Sequence, residues 1–169
     1  MKQLKTLFAL LFLLTAPSIV SAQQFKVGHI NVQQLLSEMP EMKAAQAELK
    51  KLETTFTADL QSSFQEFQQK AKLYESEASG KTQEENEKRA IELQNIERNL
   101  GEARQTASQE LQKKQAELYQ PILKKANDVV IKVARAQGLL YVLDVSPGGG
   151  VILADGKDLY NDVKRELGF

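Results

Sequence analysis

Apolar residues in the middle of the chain recur at helical spacing. Leu49, Leu52, Phe56, Leu60, Phe64, Phe67, Ala71, Tyr74 and Ala78 follow one another by three or four residues. A mean step of about 3.6 predicts an amphipathic helix with one apolar stripe. A second stripe runs through Leu93, Ile96, Leu100, Ala103, Ala107, Leu111, Lys114, Leu118, Ile122, Ala126, Val129 and Val133, with Lys114 its one polar member. Its step is also about 3.6, which predicts nearly straight packing instead of a strong supercoil. Between the stripes, Ser79 to Thr82 reads as a helix-breaking turn. Thr82 caps the second helix, with Glu85 completing a capping box, and Gly138 ends it.

Folding the two helices back at Gly80–Lys81 sets Phe67 against Leu93 and Ile96, and Leu60 against Leu100. Phe56 then meets Ala103 and Ala107, Leu49 meets Leu111, and Met39 meets Ile122. At 1.5 Å per residue each arm of roughly 40 residues is ~60 Å long, too thin to hold a globular core. Pro40 and Pro121 fall at the same level of the hairpin. A proline inside a helix removes a backbone hydrogen bond at a cost of ~3 kcal/mol, so two side by side predict a hinge where the arms leave the body. The alternative is that Pro40 begins the helix at its first position, where proline is tolerated.

The two ends of the chain follow a different pattern. "FKVGHINV", Phe25 to Val32, mixes β-branched and apolar residues and reads as a strand. The apolar run Leu139 to Leu143 lacks alternation, as expected of a strand buried on both faces. Ser146 to Gly150 reads as a turn and Val151 to Ala154 as a return strand, making a C-terminal β-hairpin. Asp158 caps a short last helix with Leu159, Val163 and Leu167 inward. The expected fold class is mainly α with a small β body: a long antiparallel helical hairpin inserted between strand 1 and a C-terminal β-hairpin.

The N-terminus carries an address. Lys2 and Lys5 precede an apolar run from Leu7 to Leu14, and Val20-Ser21-Ala22 is a small-residue cleavage pattern. Together they predict a signal peptide over residues 1–22, cleaved after Ala22; the apolar run is shorter than the ~20 residues of a membrane span. Removing Lys2 and Lys5 leaves 20 Lys and Arg against 22 Asp and Glu, a net −2. That balance gives no electrostatic case for nucleic acid and leaves contact with a membrane or lipopolysaccharide open. Residues 103–137 hold seven basic and three acidic side chains, residues 41–79 five and seven, which reads as solvated faces paired across the hairpin.

With zero Cys, disulfides, zinc–thiolate sites and thiol catalysis are excluded. His29 is the single histidine, and no nucleophile accompanies it; packing or an interface explains it better than catalysis. Asp144, Asp155 and Asp158 do not have the spacing of a Ca²⁺ loop and suit turns and caps. The glycines of "SPGGG" lack the Lys-Ser/Thr and helix start of a phosphate loop. No catalytic, cofactor or metal residue is expected. Phe56, Phe67 and Tyr74 lie near the centre of the first stripe. Phe64 and Leu73 lie off it and are candidates for touching a bound polypeptide.

Residues 23–32 and 138–169 make only 42 residues of β-containing body. A unit that small seldom stands alone without disulfides, metal or oligomerisation. Strands from several chains closing one small barrel would remove the exposed edges.

"KVGHINVQQLLSEMPEMKAAQAELKKLE" (26–53) resembles the N-terminal signature of the Skp/OmpH family of periplasmic chaperones. "ELYQPILKKANDVVIKVARAQGLLYVLDVSPGGGVILADGKDLYNDVKREL" (117–167) resembles the C-terminal one. The strand "LLYVLD" and the terminal "KDLYNDVKREL" are its most specific parts, whereas His29 and Asn31 stand where Tyr and Asp are common. The resemblance implies a periplasmic homotrimer in which a β-barrel body carries three helical tentacles around a cavity. It also implies ATP-independent holding of unfolded outer-membrane proteins. On that reading residues 23–169 form one chain, with body 23–39 and 122–169 and tentacle 40–121. The trimer body would use Val27, Ile30, Leu140, Val142, Leu143, Val151 and Leu153. The alternative is a coiled-coil spacer or envelope adaptor without client-holding activity.

Overall fold

The computed structural model describes residues 26–169; the signal peptide expected over residues 1–22, and Phe25, lie outside them. Strand β1 (Val27–Ile30) leads into a short helix α1 (Val32–Glu38), then the long helix α2 (Pro40–Glu77). A single 3-10 turn, Ala78–Gly80, reverses the chain into α3 (Gln83–Ala136). Strands β2 (Tyr141–Asp144) and β3 (Lys157–Asp158) and helix α4 (Tyr160–Leu167) complete it. This is the expected helical hairpin between small terminal strands.

Local chemistry explains the boundaries. At the start of α3 the Thr82 hydroxyl accepts from the Glu85 amide at 3.2 Å, and the Glu85 carboxylate accepts from the Thr82 amide at 2.9 Å; each satisfies a donor the helix leaves free. At its end Gly138 takes φ +65°, while the Leu139 amide donates to Ala134 and the Gly138 amide to Arg135, both at 3.0 Å. That left-handed turn closes the last carbonyls and is open to glycine at little cost. Strand β1 is shorter than the sequence predicts. Asn31 leaves the strand, and its side chain accepts from the Gln34 amide at 2.8 Å, so Val32 begins a helix.

Four ion pairs tie α2 to α3: Glu48 to Lys114 at 2.8 Å, Glu77 to Arg89 at 2.7 Å, Lys70 to Glu92, and Glu41 to Lys125. The oppositely charged faces therefore pair across the hairpin. The pair at Glu41 sets the start of α2 beside Lys125, one turn beyond Pro121. Pro40 is not a break inside a helix, contrary to the hinge expectation. It occupies the first position of α2 after Met39, whose extended backbone (φ −59°, ψ 127°) separates α1 from α2. Pro121 does lie inside α3, where its nitrogen cannot donate to the preceding turn.

The C-terminal segments do not form the expected β-hairpin. The sheet order is β2-β1-β3, and β1 pairs in parallel with both neighbours. Val27 to Ile30 align with Tyr141 to Asp144, and Gly28 and His29 with Lys157 and Asp158. Residues 151–154 are in no strand. The physical cause is close approach at Gly156: a Cβ there would lie 2.5 Å from the Val27 carbonyl oxygen. Glycine lets the chain cross the backbone of β1 and lay Lys157 along its free edge. Gly156→Ala should force β3 off β1 and destabilise the body by about 2–3 kcal/mol; a urea midpoint equal to that of the unmodified chain would contradict this.

Ile30, Leu35, Met39, Leu159 and Val163 are fully buried, so β1, α1, the root of α2 and α4 share one small core. Ile122, Ala126, Val133 and Ala134 of α3 close it. Leu159, not Asp158, holds the N-cap of α4 and makes no side-chain cap; Asp158 just before it accepts from the Tyr160 amide at 2.8 Å.

Candidate assembly and client-binding surfaces

Strand β2 alternates. Val142 packs toward the core, whereas Tyr141 and Leu143 point outward at 60% and 40% exposure. Burial on both faces, expected from the lack of alternation, is not reached within one chain. Leu140 is 70% exposed, Leu153 75% and Ile152 fully exposed. Beside β2 lies a concavity of about 470 Å³ lined by Ile30, Val130, Ile131, Leu139, Leu140 and Val142, among others. Of the expected body residues, Val27 and Val151 are half-buried, Ile30 is internal, and Leu140, Leu143 and Leu153 face outward. Ile131, exposed beside Leu140 in the concavity, and Ile152, exposed in the segment after β2, were not singled out in the sequence. Ile152 sits in the expected return strand and could have been found there; Ile131 falls between stripe positions.

Polar groups hold the end of this surface. The Asp144 carboxylate accepts from the Ser146 hydroxyl at 2.6 Å, the Ser146 amide at 2.9 Å and the Val32 amide at 3.3 Å. The Ser146 hydroxyl oxygen accepts from the Gln33 amide at 3.0 Å. Residues more than a hundred positions apart thus cap the start of α1. Partial burial pushes the Asp144 carboxyl up, but the Ser146 and Val32 donors outweigh it and hold it below its usual range. Asp144 is therefore a structural cap, not part of an acid pair.

Across the core, the Lys164 ammonium donates to Glu38 at 2.6 Å and lowers the Glu38 carboxyl to about 2. A carboxylate with a depressed folded pKa stabilises the fold at pH values above its unfolded value near 4.5. That contribution fades as pH falls toward 2. The melting temperature of the unmodified protein should accordingly fall between pH 5 and pH 2. Glu38→Gln should fall less over the same window, and parallel curves would contradict the assignment.

Toward the arm tip, Tyr74 donates to Glu92 at 2.6 Å and lies under the Arg89 guanidinium, 4.5 Å from its ring centre. Tyr74 and Phe67 are half-buried between the helices. Phe64 and Leu73 stand outside, at 39% and 51% exposure. Phe64 stacks on Phe67 with ring centres 6.3 Å apart. Turning ~100° per residue, Phe64 and Leu73 lie on opposite flanks of α2, so they do not form one patch. Ile91, 58% exposed, escaped the sequence reading because it lies off the stripe with nothing to mark it.

Among the described residues, no group of three potential metal ligands comes together, and no helix is long and apolar enough to cross a membrane. The family model for OmpH-like outer membrane proteins matches residues 26–167. The chain belongs to the OmpH-like family. Members of that family are chaperones, not enzymes. A crystal structure described as an outer membrane chaperone (OmpH-like) from Caulobacter crescentus CB15 superimposes with a TM-score of 0.74 at 20% sequence identity. The match covers 84% of this chain and 83% of that one, so the likeness extends over arms and body alike. No curated protein matches by sequence.

Proposed function

We propose that this OmpH-like chain is an ATP-independent holdase of the periplasm that keeps unfolded outer-membrane proteins from aggregating. Three chains close their strands into one barrel, and their arms surround a cavity for the client. The observation that carries this reading is the combination of a thin arm with an apolar strand left open in a single chain. Leu140, Tyr141, Ile152 and Leu153 each expose apolar area that water penalises at about 25 cal/mol per Å², and both edge strands of the sheet lack a partner on one side. Covering these by like copies satisfies the strand edges. It also plants the arms around a common axis. Many weak contacts inside such a cavity hold a client without a tight site, and no nucleotide motif offers another energy source.

The test is dilution of a urea-unfolded β-barrel membrane protein into buffer with and without the mature chain, followed by light scattering. Suppression without ATP at near-stoichiometric trimer is expected. Scattering that rises as fast with the chain as without it would refute the holdase reading.

A further inference from the structure

One flank of the arm is open. Two contiguous hollows of about 270 and 350 Å³ run between α2 and α3 and share Glu53, Leu111 and Gln115. Their floor is the half-buried edge of the stripe: Leu49, Phe56, Leu60 and Leu111, with Ala107 too short to fill the space opposite Phe56. At ~100° per residue, Phe64 lies on this same flank, one step farther toward the tip. Lys114 turns away from the groove to pair with Glu48 across the other side of the interface.

The cations of the groove are not alike. Lys50 pairs with Glu53 at 3.0 Å. Arg104, at the tip end of the groove, pairs with no carboxylate among the described residues, although neighbouring Arg98 and Lys114 each have one. An apolar floor that ends in an uncommitted guanidinium complements an extended polypeptide with apolar or aromatic side chains followed by a carboxylate. Guanidinium suits that role because its planar donors match a carboxylate pair-wise.

We propose that this groove, from Tyr119 to Phe64, is the client-contact strip of the arm, and that it takes apolar segments of unfolded chain bearing an acidic residue held by Arg104. The proposal rests on the holdase reading and locates its contact surface. Leu73 and Ile91 lie outside the strip.

The chain has no Cys, so single labels are unique. Thr57→Cys lines the groove, and Glu66→Cys lies on the opposite flank of the same helix. Each full-length mature variant would carry a polarity-sensitive fluorophore and receive a urea-unfolded β-barrel membrane protein. The expected result is a blue shift and an intensity rise several-fold larger at position 57 than at 66. With an apolar peptide carrying one Glu as the probe, Arg104→Glu should weaken binding about tenfold at low salt, and Arg104→Lys by a smaller but measurable factor, because the charge stays and the paired donors are lost. A peptide with Gln in place of Glu should not distinguish these variants. A response equal at both positions, or larger at 66, while aggregation is still suppressed would overturn the groove and leave the holdase standing. Unchanged peptide binding by Arg104→Glu would remove the carboxylate assignment. Failure of the unlabelled chain to suppress aggregation would refute both readings together.

Discussion

Leu140→Asp is expected to convert the proposed trimer to monomers while the single chain stays folded. Leu140 is 70% exposed in one chain, so a carboxylate there meets water and leaves the core of Ile30, Leu35 and Val163 untouched. In the proposed trimer the same position would face a neighbouring strand. Burying an unpaired carboxylate costs at least several kcal/mol, and symmetry repeats the penalty three times. The substitution is thus amplified by assembly and nearly silent in the monomer. Multi-angle light scattering at micromolar concentration should report a mass falling from three chains to one, with helical circular dichroism retained. Val142→Asp is the harsher companion: Val142 packs against the core, so that change should also lower monomer stability. A Leu140→Asp protein that remained trimeric would show that this strand face is not the interface.

Shortening the arms should separate holding from assembly. Thr55 and Ser108 stand nearly level across the hairpin by the register of the Glu48–Lys114 pair. Replacing residues 56–107 by a short Gly-rich turn therefore joins two points already close together. The variant loses the whole distal arm, including the groove around Ala107, Phe64 and the Tyr74–Glu92–Arg89 cluster. It keeps the arm roots and the ion pairs of Glu41 and Glu48. Trimer formation should persist, because the strands and the core they share lie far from the deletion. Suppression of client aggregation should fall steeply, because only the root half of the groove, from Gln46 to Glu53 and from Leu111 to Tyr119, remains. A shortened protein that held clients at the native rate would show that the distal arm is not needed for holding and refute the cavity.

The arm was legible in the sequence because its determinants are local. A repeat of about 3.6 residues, a Thr-x-x-Glu capping box and a terminal glycine each act within one or two turns. The structure places the cap of Thr82 and the left-handed turn of Gly138 where those signals put them. The membership of the chain in its family was legible too, in the strand "LLYVLD" and the last helix. Tertiary structure alone decided the body. Apolar runs identify strands but do not state their partners, and a run around a Gly-rich turn suits a hairpin as well as a crossover. The close approach of Gly156 to the Val27 carbonyl lets β3 lie in parallel along the edge of β1 left free by β2, a contact between residues over a hundred positions apart. The same holds for Asp144 and Ser146 capping α1. Local chemistry is written in neighbouring residues, whereas pairing partners and open grooves arise only once distant segments are brought together.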